Sequence, residues 1–474
     1  MSVVERILAH AASRPEHIAI YEKEKAITYA QLANNIKCTA VKLKNEVKSG
    51  DAVVVTASNS YAFVTVYFAI HYIGAIVVNL AAESDESYKQ FIDKTVNPSL
   101  SIEDCQTYTT DIHPLEVGRE VASNISDGIA DLMFTSGTTG EPKGVAFSHE
   151  KLLIATQHIV GQVGNTPEDV ELLLMPLSHS FGMGRMRTIL FVGGTLVLGY
   201  SLQRLKSVFK AIESHKVTGL GLVPSAWAFI ILMSKDRISK YAPQLNYIEF
   251  GSARLSPEDK ALLIQWFPST HIVMHYGLTE ISRAIFTHFH TDNLEAVGHS
   301  SRGAEFAILN EDGLHLPEGE IGEIAFEAPW MLTEYYQSQD LTSVAFANGY
   351  FRTGDLGKYE GEYLFLTGRL KEIINVGGKK VSPYQIEKVL NSNYGVIESA
   401  CVPCADASMG EVVHAYIVAE PSSMIDVTNI LESRLRETVA KQFPVHMRPE
   451  KYHFIDELPK TSTGKIQRLH LTKI

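Results

Sequence analysis

Residues 131–150, DLMFTSGTTGEPKGVAFSHE, gather the hydroxyls of Thr135, Ser136, Thr138 and Thr139, the glycines Gly137, Gly140 and Gly144, and the ammonium of Lys143 directly after an apolar run. Glycines open the backbone to turns in which successive N–H groups converge on an anion, and hydroxyls and one positive charge add to that grip. The stretch reads as a phosphate cradle between a strand and a helix that opens at Ser148. A polar linker is the alternative, but linkers seldom follow an apolar run such as residues 132–134 and then open a helix. A Walker A loop needs Ser or Thr after its lysine to hold magnesium, and Gly144 stands there, which disfavours P-loop kinases and GTPases.

Four further runs carry chemistry-bearing residues. YGLTE (276–280) closes a strand pattern that begins at His271, so it falls at the carboxyl end of a sheet strand, where open α/β sheets bind ligands. Glu280 with the Thr279 hydroxyl suits a hard, oxygen-seeking Mg²⁺ that also holds phosphate oxygens. RTGDLG (352–357) presents Asp355, and an ionised carboxylate can accept from two vicinal hydroxyls at once. GRLKEIINVGGKKVSPYQIE (368–387) and LPKTSTGKIQR (458–468) set Arg369, Lys371, Gly378 and Lys465 among glycines and hydroxyls.

With ITYAQL (27–32), MPLSHSFGMG (175–184) and QFPVHMRPE (442–450), these runs follow in an order that resembles the motif series of the adenylate-forming superfamily. That superfamily includes acyl-CoA synthetases, adenylation domains of non-ribosomal peptide synthetases and luciferases. The resemblance extends from Thr28 to Arg468 and departs from the pattern in two places. Val78-Asn79-Leu80 stands where a proline usually follows the second motif's strand, and His446 stands where Tyr is more usual.

The resemblance implies ATP and Mg²⁺ as cofactors, with Tyr276 against adenine, Gly277 in the same motif, Thr279 near the α-phosphate and Glu280 on the metal. Asp355 falls to the ribose hydroxyls and Arg369 to the ribose and phosphate side. Lys371 becomes the interdomain hinge, Gly378 lines the tunnel of the thiol donor, and Lys465 bridges the substrate carboxylate and the α-phosphate. His179 lies beside the carboxylate, and Ser180, Phe181 and Gly184 form the acyl pocket wall. Further candidates are Trp227, the Gly251-Ser252-Ala253 run, His275, and Arg283 as a partner for a second carboxylate; the last is more often a solvated or structural arginine. Amino-acid-activating members usually place an Asp in the motif at 175–184 to pair with the α-ammonium. None stands here, and an unpartnered buried ammonium is costly, which disfavours α-amino acids.

The expected activity is attack of a carboxylate on the α-phosphorus of ATP, followed by acyl transfer to coenzyme A or to the phosphopantetheine arm of a separate carrier protein. An aromatic or fatty acid is expected. An unusual amino acid is one alternative, and a non-catalytic nucleotide sensor is another. Retention of Glu280, Lys371 and Lys465 weighs against the sensor.

The surrounding chain is ordinary for a globular enzyme: 474 residues, 45% hydrophobic and 20% charged. A formal charge of −12 disfavours a general nucleic-acid-binding surface. Four cysteines and an N-terminal segment with acids in place of an apolar signal core point to a reducing, cytoplasmic setting. Cys401 and Cys404 have CxxC spacing without a second pair and read as structural. Residues 52–82 carry no charge until past Ala82, yet their polar interruptions and Gly74 favour a buried helix and strand over a membrane span.

From residue 150 to 275 helix and strand patterns alternate, the signature of an α/β fold with mostly parallel sheets. The expected architecture is a large N-terminal domain, residues 1–369, of doubly wound, mostly parallel sheets with a β-rich subdomain. A small, mobile α+β C-terminal domain, residues 370–474, follows.

Overall fold

The computed structural model describes residues 1–109, 125, 128–135, 142–301, 303–420, 426–460 and 466–472. The chain divides into two compact units, residues 1–305 with 327–346, and residues 306–326 with 347–474. The expected boundary at 369/370 falls inside the second unit.

The first unit is built on two mixed sheets. One runs, in spatial order, through His271–Tyr276, Tyr247–Phe250, Gly219–Leu222, Val170–Leu172, Thr195–Leu198 and Ile18–Glu22, all parallel. Antiparallel strands flank it, Ile285–His288 at one end and Lys25–Thr28 at the other. The other sheet pairs Leu100–Ile102, Ala52–Ala57, Ile76–Ala81 and Ile129–Thr135 in parallel, then adds Lys143–Ser148 and Glu334–Tyr335 antiparallel.

Helices open where the sequence supplies caps. Thr28 and Gln31 form a reciprocal capping box before Tyr29–Leu43, whose Tyr29 and Leu32 are buried, and the Ser148 hydroxyl caps His149–Val163. The uncharged stretch at 52–82 becomes two adjacent strands and the helix Tyr61–Tyr72, every residue of which is buried. Burial on all sides explains why it lacks a helical stripe. Among the described residues, no helix is long and apolar enough to cross a membrane.

In the second unit, the strands Tyr350–Glu360 and Tyr363–Arg369 form a long hairpin beside Gly322–Glu327. A further sheet orders Lys379–Val381, Ile374–Val376, Gly410–Ala419 and Val396–Asp406, with Lys451–Phe454 alongside Gly410–Ala419. Ile386 and Leu390 of helix Pro383–Asn391, and Leu431, Leu435 and Val439 of helix Asp426–Gln442, close its core. Cys401 and Cys404 lie three apart on one strand, so they face opposite ways, and both are free thiols, in keeping with a structural role.

Candidate active site

The phosphate-loop region differs from the sequence expectation in its frame. Thr135 ends the strand Ile129–Thr135 and pairs with Lys143 across an antiparallel hairpin, so a second strand, Lys143–Ser148, intervenes before the helix. That strand is buried from Gly144 onward and so lacks the alternation that announces a half-exposed strand. Space at Gly144 is tight: a Cβ would lie 3.1 Å from Phe134 Cζ and 3.2 Å from Tyr336 Cβ. Ser136, Gly137, Thr138, Thr139 and Gly140 lie outside the described residues.

At the foot of the hairpin Asp131 is buried, with His71 Nε2 at 2.8 Å, and accepts hydrogen bonds from Tyr67 Oη at 2.9 Å and Arg187 Nη1 at 2.9 Å. Burial works against its charge, but His71 and Arg187 more than offset that and hold the carboxyl below its ordinary range. This cluster ties the loop's first strand to helix Tyr61–Tyr72 and to helix Ser180–Val192.

YGLTE occupies the predicted strand end. The chain turns between His271–Tyr276 and Ile285–His288 through the short helical turn Thr279–Ile281. Gly277 admits no side chain, since a Cβ would sit 1.8 Å from the Ser282 carbonyl oxygen.

Residues 329–336, PWMLTEYY, stitch this turn to the phosphate hairpin, and the sequence reading passed over them. Leu332 N–H donates to the Glu280 carbonyl at 2.7 Å, Trp330 Nε1 to the Ile281 carbonyl at 3.2 Å, and Thr333 N–H to the Ala146 carbonyl at 2.7 Å. The Tyr335 hydroxyl donates to Glu280 Oε1 at 2.9 Å, and Lys143 Nζ lies 5.1 Å from the Tyr335 ring centroid. Burial and the Glu280 charge push the Tyr335 phenol up, so it stays a donor. The available signal was the density of aromatic residues around one acid.

The acyl-side candidates also converge. Asn59 brackets the loop before His179, its Nδ2 donating to the Met175 carbonyl and its Oδ1 accepting from Leu177 N–H, both at 2.9 Å. Asn79, within the Val78-Asn79-Leu80 run that departs from the usual pattern, donates to the Leu177 carbonyl at 2.6 Å. His179 then caps helix Ser180–Val192 with its backbone; its Nε2 is buried without a partner, and burial lowers its pKa.

Phe181 stands edge-on to His275 at 4.8 Å, and the Arg283 guanidinium lies 5.0 Å from the Phe181 ring centroid. Gly184 and Gly251 make room: a Cβ would meet Arg283 Nη1 at 2.2 Å and His275 Cε1 at 2.0 Å respectively. Ser252, with φ +73, and Ala253 lead away from the strand Tyr247–Phe250.

Beneath these residues Glu249 is fully buried, with Arg185 Nη1 at 2.8 Å, Arg283 Nε at 2.5 Å and His275 Nδ1 at 2.7 Å. Burial opposes the Glu249 charge, yet Arg283 and Arg185 outweigh it and hold the carboxyl far below its usual range. Arg283 also donates from Nη2 to the Phe181 carbonyl at 3.1 Å, so its guanidinium serves this buried network. Trp227 is a core residue: it is fully buried against Phe250, Trp266 and Phe267, and its Nε1 donates to Asp259 at 2.9 Å.

In the second unit Asp355 is buried and pairs through Oδ1 with Arg369 Nε at 2.7 Å. Lys371 lies in the exposed turn Leu370–Glu372. Gly378 has φ +81 and open space where a Cβ would stand. Lys465 lies outside the described residues. Its flanks are held by an antiparallel bridge between Lys460 and Ile466 and by Arg468, which pairs with Glu387 at 2.5 Å and Glu372 at 3.0 Å.

Among the described residues, no group of three or more His, Cys, Asp or Glu side chains could hold a metal. The donor set at Glu280 is one carboxylate and a neighbouring hydroxyl, which fits a Mg²⁺ that arrives with phosphate oxygens.

The family description AMP-binding enzyme matches residues 7–336, and AMP-binding enzyme C-terminal domain matches residues 385–465. The chain is 29% identical to 4-coumarate–CoA ligase-like 9 of Arabidopsis thaliana, over 94% of this chain and 85% of that one. It is 26% identical to 2-succinylbenzoate–CoA ligase of Bacillus subtilis (strain 168), over 98% of this chain and 96% of that one. The fold is similar to that of the anthranilate CoA ligase AuaEII in complex with anthranoyl-AMP, with TM-score 0.88 and 22% identity, covering 100% of this chain and 97% of that one.

Proposed function

The chain belongs to the AMP-binding enzyme family, and from that premise we propose that it activates a carboxylic acid with ATP to an acyl-adenylate, releases pyrophosphate, and passes the acyl group to a thiol. The observation that carries the reading is the grouping of Lys143, at the phosphate hairpin, with Glu280 through Tyr335. It sets a cation and a metal-binding carboxylate within one side chain of each other, as charge neutralisation on a polyphosphate requires.

Attack of a carboxylate on the α-phosphorus crowds negative charge at one centre. Lys465, Lys143, Thr279 and the loop N–H groups are the proposed donors aimed where it builds, and neutralisation with positioning supplies the rate. Mg²⁺, held by Glu280 beside Thr279, would supply further neutralisation of phosphate oxygens. Tyr276 and Gly277 take the adenine side, Asp355 and Arg369 the ribose. Lys371 is the proposed hinge and Gly378 the proposed lining of the thiol's path.

On the acyl side the charges are already paired: Arg283 and Arg185 hold Glu249, and Phe181, Gly184 and His275 form the wall. That neutral, partly aromatic wall favours a monocarboxylic acid with an aromatic or aliphatic body, and disfavours both an α-ammonium and a second carboxylate. The CoA ligase names of the two sequence relatives support coenzyme A as the thiol, in preference to a carrier protein. The four free cysteines are in keeping with a reducing, cytoplasmic setting.

The test is pyrophosphate release from ATP and Mg²⁺, with hydroxylamine as trap, across aromatic, fatty, dicarboxylic and amino acids. Release is expected with aromatic or fatty monocarboxylates. Release confined to amino acids or dicarboxylates would overturn the substrate assignment, and measurable ATP binding without release for any acid would favour a nucleotide sensor.

A further inference from the structure

Tyr335 sits where the two charged halves of the proposed phosphate site meet. It is 6% exposed and belongs to the edge strand Glu334–Tyr335, where it pairs with Val145, two residues from Lys143. Its N–H donates to Thr342 Oγ1 at 2.9 Å, which fixes its backbone from the far side. Its hydroxyl then reaches Glu280 Oε1 at 2.9 Å, while its ring takes Lys143 Nζ at 5.1 Å from the centroid. One side chain therefore touches both groups by two different kinds of contact.

The geometry points to Tyr335 as a positioning residue for nucleotide binding. Its hydroxyl restrains the Glu280 carboxylate that would hold the metal, and its ring face restrains the Lys143 ammonium that would meet the polyphosphate. A hydrogen bond from a neighbouring group to a metal-ligating carboxylate orients that ligand, and loss of such a partner typically costs about 10- to 100-fold in metal affinity. A cation over an aromatic face is attracted by the ring quadrupole. The two functions separate by mutation: Tyr335→Phe keeps the ring and removes the hydroxyl, whereas Tyr335→Leu removes both. The inference rests on Glu280 and Lys143 acting on ATP and Mg²⁺ as proposed above.

Calorimetric titration of the full chain with ATP, once in Mg²⁺ and once in EDTA, reads the two contacts without any turnover. The wild-type protein is expected to bind ATP more tightly in Mg²⁺, and the ratio of the two affinities measures the metal's share. In Tyr335→Phe that ratio is expected to fall by about 10-fold, with affinity in EDTA within about 2-fold of wild type because Lys143 keeps its ring. Tyr335→Leu is expected to weaken binding in EDTA as well.

An unchanged ratio in Tyr335→Phe would overturn the proposal, as would an equal loss of affinity in Mg²⁺ and EDTA, which marks a merely structural role. Thermal melting of both variants identifies a folding defect, and a defect in Tyr335→Phe that accounts for its binding loss would also overturn it. A wild-type protein whose ATP affinity ignores Mg²⁺ would instead overturn the underlying assignment of Glu280.

Discussion

Asp355 and Arg369 face each other across the hairpin Tyr350–Glu360/Tyr363–Arg369, with Arg369 Nε 2.7 Å from Asp355 Oδ1. The ion pair is short and Asp355 is buried, so the carboxylate is fixed in direction. Both residues were assigned to the ribose independently of their pairing. Asp355→Ala is expected to lower affinity for ATP by about 10- to 100-fold, the scale of a hydrogen bond to a charged group. It is expected to affect 2′-deoxy-ATP less, so that the preference for ATP shrinks; competition binding with the two nucleotides checks it. A preference that survives in the variant would remove Asp355 from the ribose.

The paired contacts of Asn59 with the backbone of Met175 and Leu177 make a second prediction. Asn59→Ala strands a buried carbonyl and a buried N–H in the loop that delivers His179, at a cost of about 1–3 kcal/mol for each unsatisfied group. KM for the acid is expected to rise while affinity for ATP stays near wild type. Steady-state kinetics on each substrate, with a melting curve, distinguishes this from general loss of fold.

A buried histidine, His149, and a half-buried one, His158, predict acid sensitivity. Burial, helped by the nearby His71, pushes the His149 imidazole down to about 3, and burial pushes His158, stacked on Trp330, down to about 4. In the unfolded chain both titrate near the ordinary histidine value of about 6.5, so the unfolded state takes up protons first as the pH falls. Their contribution is fully present above that value and is lost progressively toward pH 4 and 3, at about 1.4 kcal/mol per pH unit for each group. The melting temperature is expected to drop between pH 7.5 and 5.5, and less so in His149→Leu/His158→Phe. Equal drops in both proteins would contradict the assignment.

Much of this was legible in the chain. The strands Thr195–Leu198 and Tyr247–Phe250 have the bounds that the alternating helix and strand patterns announce, and Thr28 and Ser148 cap helices as hydroxyl residues before a helical pattern should. What the sequence hid shares one physical cause, which is partnership across distance. Lys143–Ser148 is a strand because Ile129–Thr135 and Glu334–Tyr335 flank it, and no local alternation marks it.

Arg283 read more readily as a solvated or structural arginine than as a ligand for a second carboxylate, but its partner, Glu249, 34 positions away in the interior, was not legible. Asp355 lies within the strand Tyr350–Glu360, whose pairing is decided by Tyr363–Arg369 and is not marked locally. Trp227 has the composition of a pocket wall and the surroundings of a core, a difference set by Asp259 on another helix.

The central claim is that ATP is cleaved between the α- and β-phosphates to activate a carboxylate, with Lys465 neutralising the charge that builds. The direct measurement is ³¹P NMR of the products formed from ATP, Mg²⁺, coenzyme A and the acid giving the greatest pyrophosphate release, for the wild-type protein and for Lys465→Ala. The account predicts one AMP and one pyrophosphate per thioester formed, and a rate lower by about 10²- to 10³-fold in the variant. ADP and inorganic phosphate as products, or a Lys465→Ala protein that forms thioester at the wild-type rate, would contradict it.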